Sequence, residues 1–319
     1  MSAGRPPLTT RELLADPRLQ ALAFSLPVAS EAALDRRIES PRLQKPGLAL
    51  AGFLASLRPG RVQVIGASEA DFLQTLPEAL RRERVQQLVA SLPPLVVISK
   101  GSARATALFA PACRDHQVAL AVTEANTSEL IERLSSTLEV LLAPRTRLHG
   151  DLLDIFAVGV LLVGDSGLGK SECALELIYR GHRLVADDVV EVLRIRQDQL
   201  VGQAPSRSKG FLEVRGLGII NIDQLFGAAA VRDFKPVDLV IRLVSEETTP
   251  VERLGMEQRF TEILGVRRPL LEVPVAAGRS LSLLVECAAR RYLLQQRGVA
   301  DLARAFVEAH DRGLDLDRP

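Results

Sequence analysis

Tryptophan is absent, tyrosine and methionine occur twice each, and only three cysteines, Cys113, Cys173 and Cys287, are spread over 319 residues. The cysteines show neither a CxxC pair nor Cys/His spacing, which argues against a disulfide framework or a zinc site built on them. Small buried hydrophobes are their expected role. Lysine is scarce too, confined to Lys45, Lys100, Lys170, Lys209 and Lys235. Arginine supplies the remaining positive charge and is balanced by Asp and Glu to a formal net charge of +1. No basic stripe of the kind that tracks a phosphate backbone results, so nucleic acid is not an expected partner. Long apolar runs are missing as well: Phe156 to Val163 is the longest and is far too short for a bilayer, and Met1 to Pro7 has no signal core. No membrane partner and a cytoplasmic location are expected.

What is present suffices for ordinary folding, with 47% hydrophobic and 25% charged residues. The length predicts two domains. Residues 8 to 56 read as short helices between proline breaks, with Thr10 capping Arg11 to Leu14 and Ser30 capping Glu31 to Ile38. An alternation follows: a strand from Val62 to Ile65, a helix from Glu69 to Arg82, a strand from Leu95 to Ser99, a helix near Ala103 to Cys113, and a strand from Val118 to Thr123. This predicts an α/β domain with a parallel sheet over residues 1–135, with a regulatory or assembly role. Ser99 to Ser102 follows a strand and is open to anion binding, with an ordinary strand-to-helix turn the favoured reading.

A second domain is expected over 136–319, with a β-rich core and C-terminal helices. Its strands are read at Leu152 to Phe156, Val158 to Val163, Leu184 to Ala186, Val190 to Ile195, around Val201, at Ile219 to Ile222 and at Leu239 to Val244; helices are read at Leu281 to Gln296 and Val299 to Ala309. Gln203 to Gly210 reads as a basic loop, open to substrate docking or simply solvated.

Gly164-Asp165-Ser166-Gly167-Leu168-Gly169-Lys170-Ser171 meets G-x-x-x-x-G-K-[ST] at every required position, after a strand and before a helix expected from Ser171 to Arg180. Glycines let backbone amides curl around phosphate oxygens, Lys170 reaches the β and γ phosphates, and the Ser171 hydroxyl is placed for Mg²⁺. Such a loop alone does not distinguish hydrolysis, transfer and switching. Asp187-Asp188 ends a strand one helix later, where one carboxylate organises Mg²⁺ and the other accepts a proton from an incoming hydroxyl. A small-metabolite kinase and a nucleotide-gated regulator share these features and remain open at this point.

Leu148-His149-Gly150, Gly159 to Glu172, Arg180 to Asp188, and Leu212-Glu213-Val214-Arg215-Gly216-Leu217-Gly218-Ile219-Ile220-Asn221 stand in one order. In this the second half resembles the HPr serine kinase/phosphorylase family. The resemblance implies an Mg-dependent enzyme that phosphorylates a serine of the phosphocarrier protein HPr with ATP or pyrophosphate. In reverse, inorganic phosphate removes the seryl phosphate as pyrophosphate. It further implies catalytic roles for His149, Lys170, Asp188 and Arg253, metal ligation by Ser171 and Glu213, and a homohexamer. Pro274-Val275-Ala276-Ala277-Gly278-Arg279 is similar to the segment the family associates with dephosphorylation. It departs from the common pattern at Ala276-Ala277, where many members carry Arg and Pro, so kinase action is the more directly implied half.

Overall fold

The computed structural model describes residues 8–245, 259–276 and 278–298, and the chain divides into two compact units between Ala143 and Pro144. The first unit contains β1 (Leu8–Thr9), α1 (Thr10–Leu14), β2 (Ser25–Val28), α2 (Glu31–Leu34), β3 (Arg37–Ile38) and α3 (Gly47–Leu50). It continues with β4 (Gln63–Ile65), α4 (Ala67–Thr75), α5 (Glu78–Ala90), β5 (Leu95–Ile98), α6 (Ala103–Asp115), β6 (Ala119–Val122) and α7 (Thr127–Leu141).

Strands β4, β5 and β6 are parallel, as expected, and β2 adds an antiparallel edge in the order β2-β6-β5-β4. Alternate residues face opposite sides, so each strand feeds two cores. Val64, Leu95, Val97, Ala119 and Ala121 pack toward Leu130, Leu134 and Leu138 of α7, while Ile65, Val96, Ile98, Leu120 and Val122 pack toward Val85, Leu88 and Phe109.

The single helix expected from Glu69 to Arg82 is two helices. Pro77 cannot donate to a helical carbonyl, and it forces Leu76 into an extended conformation (φ −84°, ψ 147°) between α4 and α5. Thr9, rather than Thr10, caps α1 through a capping box with Glu12, and the Ser30-capped helix stops at Leu34 before β3 instead of reaching Ile38. Ser102 caps α6 and the Ser99 hydroxyl bonds to Thr127 Oγ1 at 2.7 Å, which gives that turn its ordinary structural work.

The second unit contains β7 (Arg145–His149), β8 (Asp151–Ile155), β9 (Val158–Val163), α8 (Lys170–Tyr179), β10 (Arg183–Ala186), β11 (Val189–Arg194) and β12 (Leu200–Gln203). It continues with β13 (Phe211–Val214), β14 (Gly218–Asn221), α9 (Ile222–Phe226), β15 (Phe234–Pro236), β16 (Leu239–Ser245), β17 (Arg259–Ile263), β18 (Val266–Val275) and α10 (Leu281–Gln296). A six-stranded sheet ordered β10-β8-β9-β16-β18-β17 lies between α8 and α10 on one face and a four-stranded sheet ordered β15-β12-β11-β7 on the other. Among the described strands of the six-stranded sheet only β9, β16 and β18 run parallel, and they therefore end at the same edge. Leu153, Val160, Leu162 and Ile241 pack on the helical side, and Leu152, Leu161, Val185 and Val240 on the side of the second sheet.

Strands β7, β13, β15, β17 and β18 were not expected; β7 and β17 are charged edge strands without an apolar run. Cys113 and Cys173 are buried as expected, whereas Cys287 is exposed on α10. Val299 to Ala309 and Arg253 lie outside the described residues. No described helix is long and apolar enough to cross a membrane.

Candidate active site

The glycine-rich loop leaves β9 at Val163 and enters α8 at Lys170. Gly164 begins it with φ +152°, and a Cβ there would lie 2.7 Å from the Leu243 carbonyl oxygen on neighbouring β16, so a larger residue is excluded by both conformation and space. Lys170 Nζ donates to the carbonyls of Gly164 and Asp165, each at 3.0 Å, which draws the ammonium across the loop's mouth. The first helical bond is from Cys173 N–H to the Gly169 carbonyl, so the amides of Lys170, Ser171 and Glu172 make no intrahelical bond. Free amides and the positive end of the helix dipole make this a site for anionic oxygen.

One helix later, β10 delivers Asp187 and Asp188 with opposite exposures. Asp187 is buried: its Oδ1 accepts from the Ser171 hydroxyl at 3.4 Å and its Oδ2 from the Glu213 N–H at 2.8 Å. It thus ties the loop's helix to the hairpin β13–β14. Asp188 adopts φ +59°, a left-handed conformation that turns its side chain outward until it is 78% exposed.

The segment preceding the loop strand grips that turn. Pairing of β7 with β11 sets His149 opposite Val189, and His149 Nδ1 stands 3.7 Å from Asp188 Oδ1. Gly150 N–H donates to the Asp188 carbonyl at 2.9 Å, and Asp151 Oδ1 accepts from Asp188 N–H at 3.2 Å. Three successive residues therefore hold one aspartate by its side chain, carbonyl and amide.

Asp151 is 1% exposed, and its Oδ2 meets no hydrogen-bond donor. Burial, and then the negative charge of Asp187, pushes its carboxyl up to about 8. Asp187 is raised as well, chiefly by burial, against which the Glu213 amide works. A proton between these two carboxyls satisfies the orphan oxygen and removes the repulsion.

The other expected site residues in the described part of the second unit lie on the hairpin β13–β14 and at the end of β18. Leu212 and Val214 are buried in the core beneath α8, while Glu213, Arg215, Gly216, Leu217, Gly218 and Ile219 point outward on the hairpin, with Glu213 opposite Ile219. Ile220 is half-buried and Asn221 caps α9 by accepting from Gln224 N–H at 2.9 Å. Pro274 and Val275 end β18 opposite Val244 and Ser245 of β16, at the edge where β9 gives way to the loop. Ala276 is half-buried and Gly278 and Arg279 are exposed; Ala277 is outside the described residues. A cavity of about 470 Å³ opens beside the loop, lined by His149, Gly164, Asp165, Arg242, Ser245 and Thr261 among others.

Among the described residues no three His, Cys, Asp or Glu side chains cluster with metal-holding geometry. Mg²⁺ takes one or two protein ligands and completes its shell with phosphate oxygens and water. Ser171 and Glu213, both fastened to Asp187, fit such a sparse donor set. Asp151 is the residue sequence reading missed, and its one signal is a carboxylate opening a strand buried at all five positions.

Comparison with known proteins gives two matched family models, described as the HPr serine kinase N terminus over residues 8–138 and the HPr serine kinase C-terminal domain over residues 140–310. A curated protein of Geobacter sulfurreducens named HPr kinase/phosphorylase is 43% identical over 282 residues, covering 88% of each chain. One of the same name from Bacillus cytotoxicus is 38% identical over 312 residues, covering 98% of each. A solved structure of the Hpr(Ser) kinase/phosphatase from Coxiella burnetii is 38% identical and covers 50% of this chain and 98% of its own, at a TM-score of 0.46 that adds nothing to the fold.

Proposed function

Because the chain belongs to the HPr serine kinase family, we propose that it phosphorylates a serine of HPr and removes that phosphate by phosphorolysis. The observation that carries the assignment of roles is the outward Asp188 carboxylate, clamped beside His149 and one residue from the aspartate that holds Ser171. The relatives' shared description favours HPr over a small metabolite as acceptor and transfer over mere nucleotide sensing.

ATP or pyrophosphate is bound through the loop amides and Lys170. Ser171 and Glu213 would hold Mg²⁺, which would supply positive charge against the phosphate oxygens. Asp188 takes the proton from the serine hydroxyl as its oxygen attacks the terminal phosphorus, and the bridging P–O bond breaks to release ADP or phosphate. In the other direction an oxygen of inorganic phosphate attacks the seryl phosphate. The serine oxygen then leaves with the proton returned by Asp188, and pyrophosphate forms.

His149 lies against the carboxylate that moves the proton, which supports an active-site role for it. Arg253 keeps the charge-stabilising role implied by the family. Pro274 and Val275, at the same sheet edge as the loop, support a part for their segment in phosphorolysis. A homohexamer in the cytoplasm completes the reading. The test is incubation of purified protein with Mg²⁺, HPr and either ATP or pyrophosphate, followed by phosphorylated HPr with inorganic phosphate. Absence of transfer in both directions refutes it.

A further inference from the structure

Asp188 is a non-glycine residue in the left-handed region, where a free chain seldom dwells, so something must hold it there. Its neighbour Val189 closes a tight turn onto the Asp187 carbonyl at 2.6 Å, and the remaining polar backbone groups of Asp188 are both taken up from β8 and the residue before it. The Gly150 amide accounts for the carbonyl; the amide is met by a side chain, Asp151 Oδ1 at 3.2 Å. Asp151 itself is fixed, since β8 pairs it with Leu162 of β9 at the end leading into the glycine-rich loop. A buried carboxyl group is an expensive way to satisfy one amide, because an apolar side chain in an all-buried strand avoids the desolvation. Stability alone does not account for a carboxyl at this position.

We propose that Asp151 is a positioning residue for phosphoryl transfer, holding the Asp188 amide so that the exposed carboxylate stays aimed at the acceptor hydroxyl beside the loop. The proposal rests on the role given to Asp188 above. Asp151 touches neither nucleotide nor acceptor; it acts through the Asp187–Asp188 turn. Since the acceptor oxygen matters and the negative charge does not, Asn at this position preserves the function. Its Oδ1 keeps the bond to Asp188 N–H, and its amide nitrogen donates toward Asp187. Leucine has similar volume and no acceptor.

The experiment compares the full-length protein with Asp151→Asn and Asp151→Leu in kcat and KM for HPr phosphorylation, affinity for a fluorescent ATP analogue, thermal midpoint, and hydrogen exchange at the Asp188 amide. Asp151→Leu is expected to lower kcat about 10- to 100-fold, the usual cost of removing an orienting partner. The thermal midpoint should be unchanged or higher, analogue affinity within threefold, and the Asp188 amide should exchange at least about tenfold faster. Asp151→Asn is expected to match the native protein in all four. A lower midpoint with unchanged kcat in Asp151→Leu, or equal loss of kcat in both variants, overturns the proposal. Native protein that transfers no phosphoryl group to HPr refutes the function and this catalytic role with it. An active native enzyme whose leucine variant keeps its kcat refutes the positioning role alone.

Discussion

Replacing Asp188 with Asn removes one proton-accepting oxygen and very little else. Both backbone bonds of the residue, to Gly150 N–H and to the Asp151 carboxyl, survive because they involve only main-chain atoms of residue 188. Asn tolerates the φ of +59° as well as Asp does, so no backbone strain is added. At 78% exposure the side chain contributes little to packing, and the expected change in stability is within about 0.5 kcal/mol. The chemical loss is that of a general base, on the order of 10² to 10⁴ in rate, or about 3 to 5 kcal/mol in activation free energy. Lys170 and the loop amides are untouched, so nucleotide affinity should stay within about threefold of native. Phosphate incorporation into HPr under single-turnover conditions reads the kinase direction, and pyrophosphate release from phosphorylated HPr reads the other. Microscopic reversibility requires both to fall together. A variant with kcat within threefold of native in either direction defeats the acid/base assignment.

Lys170→Ala should weaken nucleotide binding at least about tenfold by calorimetry, through loss of a charge-assisted contact of about 1.5 to 3 kcal/mol. Gly164→Ala forces a Cβ to 2.7 Å from the Leu243 carbonyl at φ +152°, and should destabilise the protein by about 1 to 3 kcal/mol in urea titrations while also reducing nucleotide affinity. Glu286, buried on α10, accepts from Arg180 Nε and Nη2 and pairs with His182 Nε2, each at 2.9 Å. Glu286→Gln should cost about 2 kcal/mol. Hydrogen bonds from Arg180 hold the Glu286 carboxyl down at about 2, below its ordinary 4.5. Its stabilisation is therefore complete above pH 4.5 and drains away as pH falls toward 2. Glu286→Gln should flatten the urea-midpoint profile across that window.

Legibility followed the physics of each signal. Apolar strands bounded by turns were read nearly to the residue, as with β9 and β16, because burial demands their composition. The loop was readable because phosphate binding constrains each position through backbone geometry. Edge strands were not: β7 and β17 carry Arg, Thr, Glu and His on half-exposed faces, and only pairing with β11 and β18 makes them strands. Division of the second unit into two stacked sheets was invisible for the same reason. The Asp187–Asp188 pair announced itself by position, whereas the burial of one and exposure of the other depends on a single left-handed residue. Asp151 escaped notice because its partner amide lies 37 residues away in the chain.

The hairpin β13–β14 is moored at three places: Leu212 and Val214 in the core, Ile222 N–H on the Gly210 carbonyl, and Glu213 N–H on Asp187. The outer residues of the hairpin, from Arg215 to Ile219, meet solvent, while its Glu213 amide shares one carboxylate with the Ser171 hydroxyl. A change that shifts the hairpin at Glu213 therefore also disturbs the carboxylate that holds the hydroxyl at the head of α8.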